Sequence, residues 1–350
     1  MPESTLESLI AAALPAGYGK VSCNVAHLDS APGDRIGLVI PSYRRFRLLR
    51  GCLDSLGRSR LPNTVVCIVD ESAATGLPEL AGYRLRRGMD SPDFDLEVRP
   101  GSLQDMKARC DRDPRCAGFT SLGMLKIRIR PAHQLVRQRF TEFGLYVKDA
   151  RRGEVRAPRR RRRHQLLAAL RHHQLRAALR HFEAPSVPTV TILKREHGHM
   201  FDSLRVGWDL LSKHFGCTYL SCLDADTIVV PHWMETLRRL HEQAREWTPN
   251  PFTIVTGFNA RQHPILADHD TYRLKQSVGG VNLFFHAGVY LALRPALTHI
   301  RWDLEIAARI RRLQGTLICT RPSVVQHCGR AGLWSRPTTF EVADDFGEGA

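Results

Sequence analysis

No stretch of this 350-residue chain is apolar for long. Its apolar runs, such as Val65–Val69 and Ile228–Val230, fall far below the ~18–20 residues that span a bilayer, so no membrane helix is expected. The nine cysteines, at 23, 52, 67, 110, 116, 217, 222, 319 and 328, form no Cys-x-x-Cys pair, and there is no His-Glu-x-x-His. The familiar zinc signatures are therefore excluded. Cys67, Cys222 and Cys319 lie in strand-like apolar runs, where a cysteine acts as a small buried hydrophobe. Outside such runs, Cys110 and Cys116 are close enough for a local disulfide, and a reducing cytoplasm would keep them as thiols. The first twenty residues lack a basic region ahead of their short apolar stretch, so no secretory signal is expected and a cytoplasmic address follows. At 43% apolar and 25% charged residues, the chain is neither disordered nor fibrous.

What the chain has in excess is positive charge, +16 in all. A value that high first suggests nucleic acid or an anionic membrane. Its distribution argues otherwise. Arg151–His181 holds eleven arginines, no lysine and one acid, Glu154, which is +10 in 31 residues and leaves +6 on the other 319. The segment contains a tandem repeat, HQLLAALRH (164–172) and HQLRAALRH (173–181). Nine residues turn a helix by about 900°, so Leu166/Leu170 and Leu175/Leu179 face opposite ways and form no continuous apolar stripe. The expectation is a solvated, partly helical excursion, with a phosphate-binding arm as the alternative. No aromatic interleaving and no DNA-reading motif accompanies the arginines, so no specific nucleic acid is expected.

Arg35–Pro41 reads as a buried strand, Tyr43–Leu56 as a helix and Thr64–Asp70 as a second buried strand, which together make a parallel βαβ unit. The alternation resumes with a strand at Thr189–Leu193, a helix at Met200–Phe215 and a strand at Thr218–Leu223. A helix at Pro231–Arg245, a strand at Phe252–Val255, a helix at Trp302–Leu313 and a strand at Thr316–Cys319 follow. More than a hundred residues separate the two halves, too many for a simple connection. The organisation expected is an N-terminal arm 1–33, a discontinuous α/β domain 34–75 and 188–337, and an inserted α+β module 76–150. An arginine-rich segment 151–187 and an acidic tail 338–350, expected to be disordered, complete it. In the insertion, a helix from Ser102 to Cys110 precedes strand-like CAGFTSLGMLKIRI and FGLYVK.

Ligands of such sheets bind beyond the carboxyl ends of the strands, which here carry Pro41-Ser42-Tyr43, Asp70 and Asp224-Ala225-Asp226. Two carboxylates crowded at one strand end repel each other, and a hard divalent cation, Mn2+ or Mg2+, with a nucleotide's phosphates offsets that repulsion. The plain alternative for Asp226 is a helix cap. Gly279-Gly280, ahead of an apolar run, suggests close backbone approach or a bulge.

The order of these motifs resembles glycosyltransferases of the GT-A fold, especially the large inverting family that includes polysaccharide and glycolipid synthases. IPSYRR, VVCIVDES, LSCLDADTIVVPHWMETL, WDLEIAARIRRLQG and PSVVQHCG stand in that family's order over 35–75 and 188–335. The resemblance implies a GT-A fold with a mixed, mainly parallel central sheet. It implies a nucleotide pocket lined by Pro41, Ser42, Tyr43, Arg45 and Asp70, with Asp224 facing ribose and metal. Asp226 would ligate the metal, and His327 would be a further ligand or a diphosphate contact. Gly279, Gly280 and Asn282 would shape the acceptor side, and Lys275, Arg330 and Ser335 would lie where a mobile loop could close on the diphosphate. Asp303 would be the general base, with Glu305 the other candidate because Trp302 replaces an acid that the family keeps.

The implied activity is transfer, with inversion, from a nucleoside-diphosphate sugar, a UDP-sugar first, to a glycan, lipid-linked or protein hydroxyl. Peripheral contact with an anionic membrane would run through Arg151–His181. The alternatives are an inactive scaffold that binds carbohydrate or protein, and a nucleic-acid binder working through the arginines. The insertion weakly resembles PAN/apple modules, though it lacks most of their disulfides.

Overall fold

Valine- and isoleucine-rich strands that are buried on both faces need a layer on each side, and the chain supplies both. In the computed structural model, the described residues are 3–15, 18–24, 34–43, 45–71, 77–99, 103–138, 143–149, 170–171, 173–179, 182, 187–194, 199–248, 250–298, 301–330 and 341–347. They form a mixed α/β fold around a ten-stranded sheet. Its order is Tyr18–Asn24, Thr189–Lys194, Thr64–Asp70, Ile36–Ser42, Tyr219–Leu223, Asn282–His286, Thr253–Thr256, Thr316–Thr320, Tyr272–Lys275 and Ile265–Asp268. The strands from 189, 64, 36 and 219 run parallel, so their carboxyl ends share one edge. The strand Asn282–His286 then runs antiparallel to both of its neighbours.

Strand Thr64–Asp70 shows how the two cores arise. Val65, Cys67 and Val69 join Leu204, Trp208 and Leu211 of the helix Met200–His214 on one face. Val66 and Ile68 meet Leu49, Cys52, Leu53 and Leu56 of the helix Phe46–Gly57 on the other. The period of two in the strand and the 3-4-3 spacing in the helix make each face continuous. That helix starts three residues later than its apolar spacing suggests, which leaves Tyr43 and Arg45 in a loop at the sheet edge.

Several expectations need correction. The region before residue 34 contains a helix, Glu3–Ala13, and a strand, Tyr18–Asn24, that pairs antiparallel with Thr189–Lys194 and turns Val21 and Cys23 into the core. The second arginine-rich repeat is not a solvated excursion. Residues 173–179 are helical, and Leu175, Ala178 and Leu179, with Phe182, join the core beside the helix Phe46–Gly57. The half-turn offset between repeats holds, since Leu170 is 54% exposed while its counterpart nine residues on, Leu179, is 7% exposed. Residues 151–169, which hold most of the arginines, lie outside the described residues.

Between residues 77 and 149 an antiparallel sheet runs Tyr83–Arg87, Gly144–Lys148, Gly118–Thr120, Met124–Lys126 and Asp95–Val98. The helix Leu103–Arg112 packs Met106 and Cys110 onto Phe119 and Tyr146 in a core of their own. Cys110 and Cys116 are joined by a disulfide rather than free, because the helix end turns back to bring their Cα atoms to 5.2 Å. Among the described residues no helix is long and apolar enough to cross a membrane.

Candidate functional site

At the shared carboxyl edge, Ser42 stands in register with Asp70, and Asp70 with Leu193. Asp224 follows the neighbouring strand Tyr219–Leu223, pinned by its N–H on the Val281 carbonyl at 2.9 Å and by Thr227 Oγ1 on its own carbonyl at 2.7 Å. A short ribbon, Thr227–Val229 against Val325–His327, then brings His327 across from Asp226, since Thr227 pairs with His327 and the Cys328 N–H donates to the Asp226 carbonyl. Ligating atoms of Asp224, Asp226 and His327 thereby lie within 4.8 Å of one another. Arg45, from the loop ahead of its helix, places its guanidinium on the other Asp226 oxygen. Gly329 leaves the space for this, because a Cβ there would stand 1.9 Å from Asp226 Oδ2.

The electrostatics are those of two carboxylates crowded in a dry place. Burial first, and the charge of Asp226 second, push Asp224 well above the usual carboxylate range. Burial acts on Asp226 too, but His327 and Arg45 outweigh it and hold Asp226 below its ordinary value. Burial alone would depress His327, yet its contact with Asp226 raises it. The ring's geometry adds a constraint. His327 Nδ1 faces the Glu341 carbonyl at 3.3 Å, which can only accept, so Nδ1 carries the proton. Nε2, 3.3 Å from Asp226 Oδ1, then either donates as imidazolium or turns a lone pair toward a cation beside the carboxylate. Two hard oxygens and one imidazole converging where carboxylates repel fit Mn2+ or Mg2+.

Asp303 lies in the first turn of the helix Trp302–Arg312. Its Oδ1 accepts from the Leu304 N–H at 2.9 Å, and the Gly280 N–H also reaches the carboxylate. Burial raises its pKa despite these donors, and its charge is felt at Asp224. Glu305, about 200° farther round the helix, makes no side-chain hydrogen bond or ion pair among the described residues.

The other sequence candidates divide. Pro41 and Tyr43 are half-buried at the strand end, Asp70 is fully buried there, and the Ser42 hydroxyl is buried with no partner among the described residues. Gly280 is a close approach, since a Cβ would sit 2.5 Å from the Trp302 indole, and Gly279 lies against His263 Nε2 in the same way at 3.1 Å. Asn282 does not face the site. Its amide donates to the Cys222 carbonyl and accepts from the Gly257 N–H, tying three strands together in the core. Lys275 is likewise not on a loop. It ends the strand Tyr272–Lys275, buried, with its ammonium on Asn259 Oδ1 and the Ala260 carbonyl. Arg330 is exposed, and Ser335 lies outside the described residues.

The segment expected to be a disordered acidic tail is instead packed over residues 341–347. Its acids meet Arg261 and Arg273 and its Ala343 enters the core. Glu341, which no motif announces, puts a carboxyl in the field of both His327 and Asp303, and burial raises its pKa. The one sequence signal for Gly329 is its place two residues after His327.

No protein-family profile and no curated protein sequence matches the chain. Among solved structures it is similar to GalNAc-T7 with UDP, GalNAc and Mn2+, at a TM-score of 0.43 and 10% identity. The alignment covers 88% of this chain and 46% of that one, so this chain spans about half of that protein's length.

Proposed function

We propose that this chain is a divalent-cation-dependent glycosyltransferase that uses a nucleoside-diphosphate sugar, with UDP-sugars the first to try. The observation that carries the proposal is the convergence of Asp224, Asp226 and His327 at the carboxyl edge of parallel strands, with the charge of Asp303 felt at Asp224. Asp226 and His327, with Asp224, would hold Mn2+ or Mg2+, and Asp224 would also face the ribose. The bound cation supplies neutralisation of the charge that develops on the departing diphosphate. Ser42, Tyr43 and Asp70 line the nucleotide pocket.

Asp303 takes the proton from the acceptor hydroxyl as its oxygen bonds to the anomeric carbon and the bond to the diphosphate breaks on the opposite face, which inverts the configuration. Burial supports this role by moving the carboxyl toward neutral pH, where a general base works best. The backbone donors around it fix its direction. The acceptor is a glycan, lipid-linked or protein hydroxyl, and the arginines of 151–181 draw the enzyme to an anionic membrane or an acidic acceptor.

Calorimetric titration of UDP with and without Mn2+ tests the core of this reading. The cation should tighten UDP binding severalfold or more, and equal affinities in its presence and absence would remove the basis for it.

A further inference from the structure

Beyond the cation ligands themselves, and resting on the reading above, we infer that residues 341–347 are a strap that positions the His327 imidazole toward Asp226. His327 ends a ribbon of only three residue pairs, and the ring torsion of a histidine is broad, so the ribbon alone leaves the ring's direction and tautomer open. The strap closes both. Its Glu341 carbonyl accepts a hydrogen bond from Nδ1–H, which commits Nε2 to Asp226. A carbonyl or carboxylate behind the ring is what gives a metal-binding histidine its orientation.

The strap is anchored away from the ring at two places. Next to it, the Gln326 amide clamps the Ala343 backbone twice, donating to its carbonyl at 3.0 Å and accepting from its N–H at 2.9 Å. Farther along, the Asp345 carboxylate accepts from the Ser323 N–H at 3.2 Å and from its hydroxyl, and pairs with the largely buried Arg273. Between the anchors, the Ala343 methyl is buried in the core. Asp345, and Asp344 through Arg261, are therefore fasteners, and neither needs to touch substrate for the segment to act on the site.

Two variants in the full chain release the strap without altering a proposed ligand. Ala343→Pro removes the N–H that Gln326 accepts. Asp345→Ala removes the second anchor while Arg273 keeps Asp268. Mn2+ titration without nucleotide should show affinity falling by about 10- to 100-fold in both, with Asp345→Glu restoring much of it. UDP binding without cation should stay near the unmodified protein's, and both variants should remain folded in EDTA at the titration temperature, with an unfolding midpoint lowered by the lost anchor. Nitrogen-15 NMR of the metal-free protein at alkaline pH should find His327 protonated on Nδ1, and the variants should shift toward the Nε2–H tautomer.

Folded variants with unchanged Mn2+ affinity and an unchanged tautomer would overturn the inference. If the unmodified protein takes up no Mn2+, the functional reading falls, and the tautomer comparison alone decides the strap.

Discussion

Gly329→Ala perturbs the cation site by one methyl group and touches nothing else of consequence. The new Cβ would stand 1.9 Å from Asp226 Oδ2, 2.6 Å from its Cγ and 3.1 Å from His327 Nε2. Ordinary contact begins near 3.4 Å, so the carboxylate must retreat by about 1.5 Å. Gly329 is not among the glycines with a left-handed backbone, so an alanine there meets no torsional penalty and the whole effect is steric. Metal–ligand distances tolerate only about 0.2 Å, so Asp226 ceases to ligate where it stands and its contact with Arg45 is remade.

Perturbing an outer-shell group costs 10–100-fold in metal affinity, and displacing a ligand should reach at least the upper end, about 2.7 kcal/mol. Overpacking adds roughly 1–3 kcal/mol to the cost of folding. Mn2+ titration and scanning calorimetry on one sample separate the two effects. Gly51→Ala is the control, because a Cβ at that helical position meets nothing within 4 Å. It should stabilise by about 0.5–1 kcal/mol and leave Mn2+ binding alone. A folded Gly329→Ala protein that binds Mn2+ within threefold of the unmodified protein would refute the placement of Asp226 as a ligand.

The two acids should part company when replaced singly. Asp226→Ala should weaken Mn2+-dependent UDP binding, whereas Asp303→Asn should keep that binding and lower transfer by about 100- to 10,000-fold; equal losses of binding would sink the division of roles. Because burial raises Asp303, the acid limb of kcat/KM should lie above the ordinary aspartate range, the rate falling as pH drops through it, and a limb at the model-peptide value would contradict this. His241, buried against Tyr219 and Phe284, is pushed down to about 4. The unfolded chain therefore takes up a proton below about pH 6.5 that the folded one refuses until about 4, so stability falls with pH across that window. His241→Phe should remove about 2 kcal/mol of the loss seen by urea unfolding between about pH 7.5 and 5, and an unchanged slope would refute it. Leu179→Ala should cost about 2–4 kcal/mol and the exposed Leu170→Ala under about 0.5, again by urea unfolding; similar costs would deny the docking of the second repeat.

The parallel strands were legible because each is a bounded run of branched apolar residues, and Thr64–Asp70 has the same limits in both views. Asp224, Asp226, His327 and Asp303 were legible as strand-end and helix-start acids and a histidine in a recognisable order. The rest depends on contacts that one-dimensional spacing cannot carry. Asn282 looks like a site residue because it follows two glycines, yet the antiparallel turn of its strand sends its amide into the core. The 341–347 segment looks disordered because its acids are counted without the arginines at 261 and 273 that they meet. Leu175 and Leu179 look stranded because a half-turn repeat presents no stripe, and only one copy needs a face to pack. Strand Tyr18–Asn24 is short, and its partner lies about 170 residues away.

That strand has a bearing on how the protein behaves in solution. Without Tyr18–Asn24, the outermost strand of the parallel half would be Thr189–Lys194, a buried, branched run with a free row of N–H and C=O groups. An open edge of that composition recruits strands from other copies. Truncations that begin after residue 24, or fusions that pull the segment away, should therefore self-associate with every proposed site residue still in place. The segment's contribution is to keep the molecules apart.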